Sequence, residues 1–223
     1  MEFSDVKKQL DDLFASNLAI QKTSTKDVRE VSAHVFRRLK KIDSTEILQI
    51  CEQLLALNLW RYQVVAFDWA FRLRKSYKKE TFEIFERWLF TYVSGWSDCD
   101  DFCTHAFGYF LLDFPEFAHS VESWATHPDF WVRRASAVIW IIPIKHKQVE
   151  AKIPIHFANL LFEDEHYLVL KGYGWMLKVL STIDPQSVKD YVWSNRASMP
   201  RLALRYAIEK FDSQTRKNMM SRV

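Results

Sequence analysis

The chain has 223 residues with 48% hydrophobic content, enough to fill a sizeable core, and only four glycines, well under the usual ~7%. That scarcity argues against strands joined by glycine-rich turns and for helices joined by short loops. A net charge of +3 is too mild to define a partner, so electrostatic arguments rest on where the charges cluster.

Apolar residues recur at three- and four-residue spacing almost throughout, with no alternating strand pattern. A first short helix is expected at Ser4–Ala15, within an N-terminal helical region spanning 1–42. Thr25-Lys26-Asp27 and Asp43-Ser44-Thr45-Glu46 have the form of helix starts, a capping side chain followed by an acid in the first turn. Asp129 and Asp164-Glu165 precede later helices, and Pro115, Pro128, Pro154, Pro185 and Pro200 punctuate the joins. The pattern predicts helix pairs at roughly 44–75, 79–112, 115–146, 153–181 and 185–211. Their second helices begin near Asn58, Ser97, Asp129, Glu165 and Ser198.

Steps of 32 to 39 residues between those starts fall in the range of helical solenoids. The tetratricopeptide signature is absent and the step is irregular, which favours an all-α, HEAT-like repeat with a concave groove. The alternative is an irregular helical bundle. No linker or low-complexity run divides the chain, so one domain over 1–223 is expected.

Cys51, Cys99 and Cys103 form no zinc-like quartet and cannot all pair, which points to a reducing, cytoplasmic compartment. Cys99 and Cys103 with His105 nearby have ligand chemistry, but buried helical cysteines are the commoner case. No metal or cofactor is expected. The opening Met-Glu-Phe-Ser-Asp lacks a signal-peptide layout. The longest apolar run, Ala135 to Ile144, is too short for a bilayer and is broken by Pro143. No membrane association is predicted, and a solenoid with its own groove needs no partner chain, so a monomer is expected.

Residue pairs at helical spacing mark the starts of the second helices. Trp96 and Asp100 lie four apart, Trp131 and Arg134 three apart, Lys171 and Trp175 four apart, and Arg201 and Arg205 four apart, with Trp60 beside Arg61 in the first pair. Residues three or four apart share a helix face. Stacked, these patches would line a groove with tryptophan, arginine and one carboxylate. Each residue also has a plain structural reading: tryptophans in the core, Asp100 as a helix cap with Asp98 and Asp101, and Arg133 and Arg134 solvated or paired with Glu122.

At these residues the sequence resembles the AlkD-like DNA alkylation repair proteins, DNA glycosylases built of HEAT-like repeats. The resemblance is carried by Gly95-Trp96-Ser97-Asp98-Cys99-Asp100, by Phe130-Trp131-Val132-Arg133-Arg134-Ala135, and by Lys171-Gly172-Tyr173-Gly174-Trp175-Met176-Leu177-Lys178, in order along roughly 40–212. It implies excision of cationic N3-alkyladenine or N7-alkylguanine from double-stranded DNA. Asp100 would face the anomeric carbon, Trp96 and Trp175 would flank the deoxyribose, and Arg134 would hold a backbone phosphate. Trp131, Arg133, Lys171, Lys178, Arg201 and Arg205 are the further candidate DNA contacts, and phosphate contacts of this kind are sequence-independent and salt-sensitive.

The chain departs from the family near Ala19-Ile20-Gln21-Lys22-Thr23-Ser24-Thr25, where a glycine and a threonine-proline are usual, and only about eighteen residues precede that segment. Three readings follow: an alkylpurine glycosylase, a non-catalytic binder of duplex or distorted DNA whose shortened N-terminal region prevents excision, and a helical scaffold for a protein partner.

Overall fold

The computed structural model describes residues 2–17, 24–39 and 41–221. Of the segment Ala19–Thr25, where the chain departs from the family pattern, residues 19–23 lie outside the described residues. Every regular element among them is helical. The chain divides into two compact units, Met1–Val93 and Ser94–Val223.

The first unit contains α1 (Phe3–Asn17), α2 (Thr25–Phe36), α3 (Ser44–Leu55), α4 (Trp60–Arg72) and α5 (Thr81–Tyr92). Ser24 caps α2 through a reciprocal box with Asp27, and the Asp43 carboxylate caps α3 by accepting from Thr45 N–H at 2.7 Å. Each cap satisfies a backbone donor that the helix start leaves open. Asn58, in the turn before α4, has φ 50°, a conformation its short polar side chain tolerates. Val6, Leu10, Val28, Val35, Leu54, Val65, Phe85 and Trp88 are fully buried. Polar contacts within this unit include Ser32 Oγ donating to Asp68, Arg72 Nε donating to Asp68 at 2.7 Å, and Trp69 Nε1 donating to the Ser32 carbonyl.

The second unit runs through α6 (Trp96–Cys103), α7 (Ala106–Asp113), α8 (Ala118–Glu122), α9 (Phe130–Val138), α10 (Ile141–Lys145), α11 (Lys152–Leu160), α12 (Tyr167–Leu180), α13 (Pro185–Asn195), α14 (Arg201–Ala207) and α15 (Ser213–Met220). Asp129 caps α9 through Trp131 N–H. The cap of α12 is His166, whose Nδ1 accepts from Leu168 N–H, while Asp164 instead holds His166 N–H at 2.8 Å. Phe102, Phe107, Phe110, Trp124, Val132, Val138, Tyr173 and Leu177 fill the core. Cys51, Cys99 and Cys103 are buried and unbridged.

Second helices start at Trp60, Trp96, Phe130, Tyr167 and Arg201, within three residues of the sequence expectation, so the helical repeat is real. Two glycines allow the second helices of the second unit to approach. A Cβ at Gly174 would lie 2.8 Å from Tyr206 Cβ and 2.9 Å from the Ala203 carbonyl oxygen, and one at Gly172 would lie 3.2 Å from Arg134 Cγ. Only glycine lets α12 settle this closely against α14 and Arg134 without displacement.

Candidate active site

α6, α9, α12 and α14 together form a cleft of about 500 Å³ in the second unit. It is lined by Trp96, Asp100, Arg134, Tyr167, Leu168, Lys171, Trp175, Lys178 and Tyr206. Helical geometry places each group. Gly95 is the N-cap of α6, so Asp98 falls at N3 and its carboxylate accepts from Gly95 N–H at 2.9 Å and Ser94 N–H at 3.0 Å. Asp98 therefore does the capping. Two residues on, about 200° around the helix, Asp100 is free to face the cleft, and Asp101 pairs with His105 at 3.1 Å.

The Asp100 carboxylate meets the Arg134 guanidinium side-on, along its Nε–Nη2 edge. Nε donates to Oδ1 and Nη2 donates to Oδ2, each at 2.9 Å, and Arg134 Nη1 donates to the Leu168 carbonyl. The Arg134 side chain is 6% exposed and the Asp100 side chain 21%. A bidentate pair removed from water this far fixes both side chains in one orientation. Burial pushes the Asp100 carboxyl above its ordinary range, with Arg134 pulling the other way. Each carboxylate oxygen has roughly two lone-pair directions, so the pair leaves acceptor capacity toward the cleft.

Around this acid the walls are aromatic. Trp96 is 62% exposed at the first position of α6, Trp175 is half-buried on α12, and neither is a core residue. The core tryptophans are instead Trp69, Trp88, Trp124 and Trp140. Exposed indole faces attract cations by ~0.5–1 kcal/mol, and by ~2 or more once desolvated. Lys171 lies 5.1 Å from the Tyr167 ring centroid, and Lys178 pairs with Glu209 at 2.6 Å.

Six of the residues singled out from sequence thus share one cleft: Trp96, Asp100, Arg134, Lys171, Trp175 and Lys178. Four stand apart from it. Trp131 packs against Phe130 with ring centroids 4.4 Å apart. Arg133 binds Asp164 at 2.6 Å, with Nη1 donating to the carbonyls of His127 and Pro128. Its partner is therefore Asp164, and Glu122 pairs with His156. Arg201 donates to the Met220 carbonyl, and Arg205 lines a neighbouring depression. Arg134 itself sits on Asp100 at the cleft floor. Tyr167, Leu168 and Tyr206 line the cleft and were missed. Tyr167 carried a signal, since it heads α12 as Trp96 heads α6.

No described helix is long and apolar enough to cross a membrane, and no group of three or more His, Cys, Asp or Glu residues arranged to hold a metal occurs among the described residues.

The fold and cleft define a helical-repeat protein with an acid held among aromatic and basic side chains. A family model described as DNA alkylation repair enzyme matches residues 7–211, and the chain belongs to that family. Among solved structures, the chain is similar to a predicted DNA alkylation repair enzyme from Enterococcus faecalis. The identity is 16% and the TM-score 0.75, covering 85% of this chain and 87% of that one; at this identity the likeness shows the fold. No match was found among curated proteins.

Proposed function

We propose that the protein is a DNA N-glycosylase that hydrolyses the N-glycosidic bond of cationic N3- or N7-alkylated purines in double-stranded DNA, acting as a monomeric domain. The observation that carries this reading is the Asp100 carboxylate, fixed by Arg134 on the floor of a cleft walled by Trp96 and Trp175.

An alkylated purine already carries a positive charge and is a good leaving group. The burden on the protein is the positive charge that develops on the deoxyribose as the bond to the base lengthens. A fixed carboxylate and two indole faces stabilise that charge without any reorganisation at the moment of reaction. The bond's electron pair passes to the purine ring nitrogen and neutralises the base. Water adds to the anomeric carbon, its proton leaving by way of Asp100 to solvent, and the products are free alkylpurine and an abasic sugar. Arg134 acts as a positioning residue that aims the carboxylate. Lys171 and Lys178 sit at the cleft as contacts for backbone phosphate, with Lys178 keeping Glu209 on one of its three N–H donors.

A non-excising DNA binder is the second reading, favoured by the engagement of both Asp100 oxygens by Arg134. The two separate in one assay, incubation with a duplex carrying a single N7-methylguanine. Release of free 7-methylguanine with an abasic strand is the expected result. Salt-sensitive duplex binding without release would establish the binder instead.

A further inference from the structure

Beyond residue 211, where the family match ends, the chain adds α15. Its placement is specific. Asp212 caps it, accepting from Thr215 N–H at 2.9 Å and Thr215 Oγ1 at 2.6 Å. Met219 is fully buried beneath it. The Arg201 guanidinium, on α14, holds its far end by donating to the Met220 carbonyl at 2.7 Å. A helix of Ser, Gln, Thr, Arg, Lys, Asn and Met has little apolar drive of its own, so this anchoring is what presents it.

What it presents is cationic. Arg216 and Lys217, both exposed, line a depression of about 430 Å³ with Arg205, Ile208, Glu209 and Ser213. Its one acid among the described lining residues is Glu209, whose carboxylate is held by Lys178 at 2.6 Å. That hydrogen bond keeps Glu209 below the usual carboxylate range, and Lys178, Lys210 and Arg216 act in the same direction. Three cations therefore face one already neutralised carboxylate, and α15 itself carries no acid. Like charges gathered on one surface repel unless an anion joins them. Lys178 also lines the Asp100 cleft, so the Glu209–Lys178 pair forms the shared wall between the two depressions.

We propose that α15 and Arg205 form a second DNA contact, a seat for backbone phosphates of the duplex that flanks the nucleotide held at Asp100. The seat rests on reading the Asp100 cleft as a DNA site. Arg216 and Lys217 bind phosphate oxygens across the depression from Arg205, and the contact is sequence-independent. Because the seat adjoins the cleft only at the Lys178 side, it takes one flank of the lesion.

The test is duplex affinity measured across a salt series, for the intact chain, for the Arg216→Gln/Lys217→Gln double variant, and for Lys152→Gln/Lys189→Gln. The last removes the same charge from α11 and α13, the first helices of their pairs. Each phosphate contact contributes about 0.9 to the slope of log affinity against log salt. The α15 variant is expected to be shallower by about 2 and to bind several-fold more weakly at low salt, with the control unchanged. Equal slopes for the intact chain and the α15 variant overturn the seat while leaving the DNA reading standing, and so does an equal loss in the control. No salt-sensitive binding by the intact chain overturns both.

Discussion

The two compact units each hold a cleft in which a tryptophan heads a second helix and an aspartate meets an arginine, and the comparison separates the arrangement proposed to be reactive from one that is a surface ion cluster. In the first unit, Lys7, Asp11, Phe14, Trp60, Arg61 and Tyr62 line a depression of about 780 Å³. Asp11 accepts from Lys7 at 2.6 Å and from the Tyr62 hydroxyl, with Arg61 at 4.0 Å. Partial burial pushes this carboxyl up, but the hydrogen bonds from Lys7 and Tyr62 prevail and hold it below its ordinary range. Arg61 is spread over the Phe14 and Tyr62 rings, 5.2 Å from each centroid. In the second unit Asp100 has one cationic partner, less exposure, and a carboxyl pushed up by burial. Similar residue types give a surface ion cluster with several donors in one place and a more buried carboxyl with a single cationic partner in the other. Burial and the number of donors make the difference.

The comparison can be broken first at the arginines. Arg134→Met leaves Asp100 as a partly buried carboxylate without its cation, expected to cost about 3–5 kcal/mol of stability and to reduce excision more than a hundredfold. Arg61→Met, at an exposed pair, is expected to cost about 0–1 kcal/mol and to leave the excision rate within threefold. Denaturant unfolding and single-turnover rates read both. Equal effects would mean the two clefts do the same job.

The tryptophans come next. Trp175→Ala removes a desolvated indole face worth ~2 kcal/mol toward a cationic sugar, about a thirtyfold loss in single-turnover rate. Trp60→Ala should change that rate less than threefold at saturating DNA.

The glycines sharpen the geometry. Gly172→Ala forces Arg134 Cγ to yield by a few tenths of an ångström, and small misplacements of reacting groups are expensive. A drop of about tenfold in excision is expected with the melting temperature nearly unchanged. Gly174→Ala meets the Ala203 backbone and Tyr206 Cβ and should instead destabilise the fold by about 1–3 kcal/mol.

The smallest effect is in pH. The proposed excision requires ionised Asp100, whose raised pKa means protonation begins at a higher pH than for a free aspartate. Activity is therefore lost as pH falls through a value above 3.8. Asp11 has a depressed pKa, so its contribution to stability is present above 3.8 and is lost only as pH falls through a lower value. A rate profile recorded beside near-ultraviolet circular dichroism should show activity lost while the fold persists.

Helix starts were legible in the sequence because caps and apolar spacing are local, and the pairing of Trp96 with Asp100 was legible because four residues define one helix face. What could not be read was the partner of each cation. Arg134 reaches a carboxylate 34 residues away, Arg133 one 31 residues away, Lys178 finds Glu209, and Arg201 finds a helix-end carbonyl. All four were candidate DNA contacts, and the ion-pair partner weighed for Arg133 and Arg134 was Glu122, because sequence spacing shows which face a charge occupies and tertiary packing decides what stands opposite. The choice between Asp98 and Asp100 as cap turned on a single residue, the position of Gly95 as N-cap. α15 lies beyond 211, where the last predicted pair ends; its sequence, SQTRKNMM, offers little apolar spacing to mark a helix.

The most direct measurement compares single-turnover release of 7-methylguanine by the intact chain, Asp100→Asn and Asp11→Asn. The account predicts at least a hundredfold loss for Asp100→Asn, the scale of one lost electrostatic stabiliser, with duplex affinity equal or higher, and a rate within threefold for Asp11→Asn. An Asp100→Asn variant that still excises at the rate of the intact chain would contradict it.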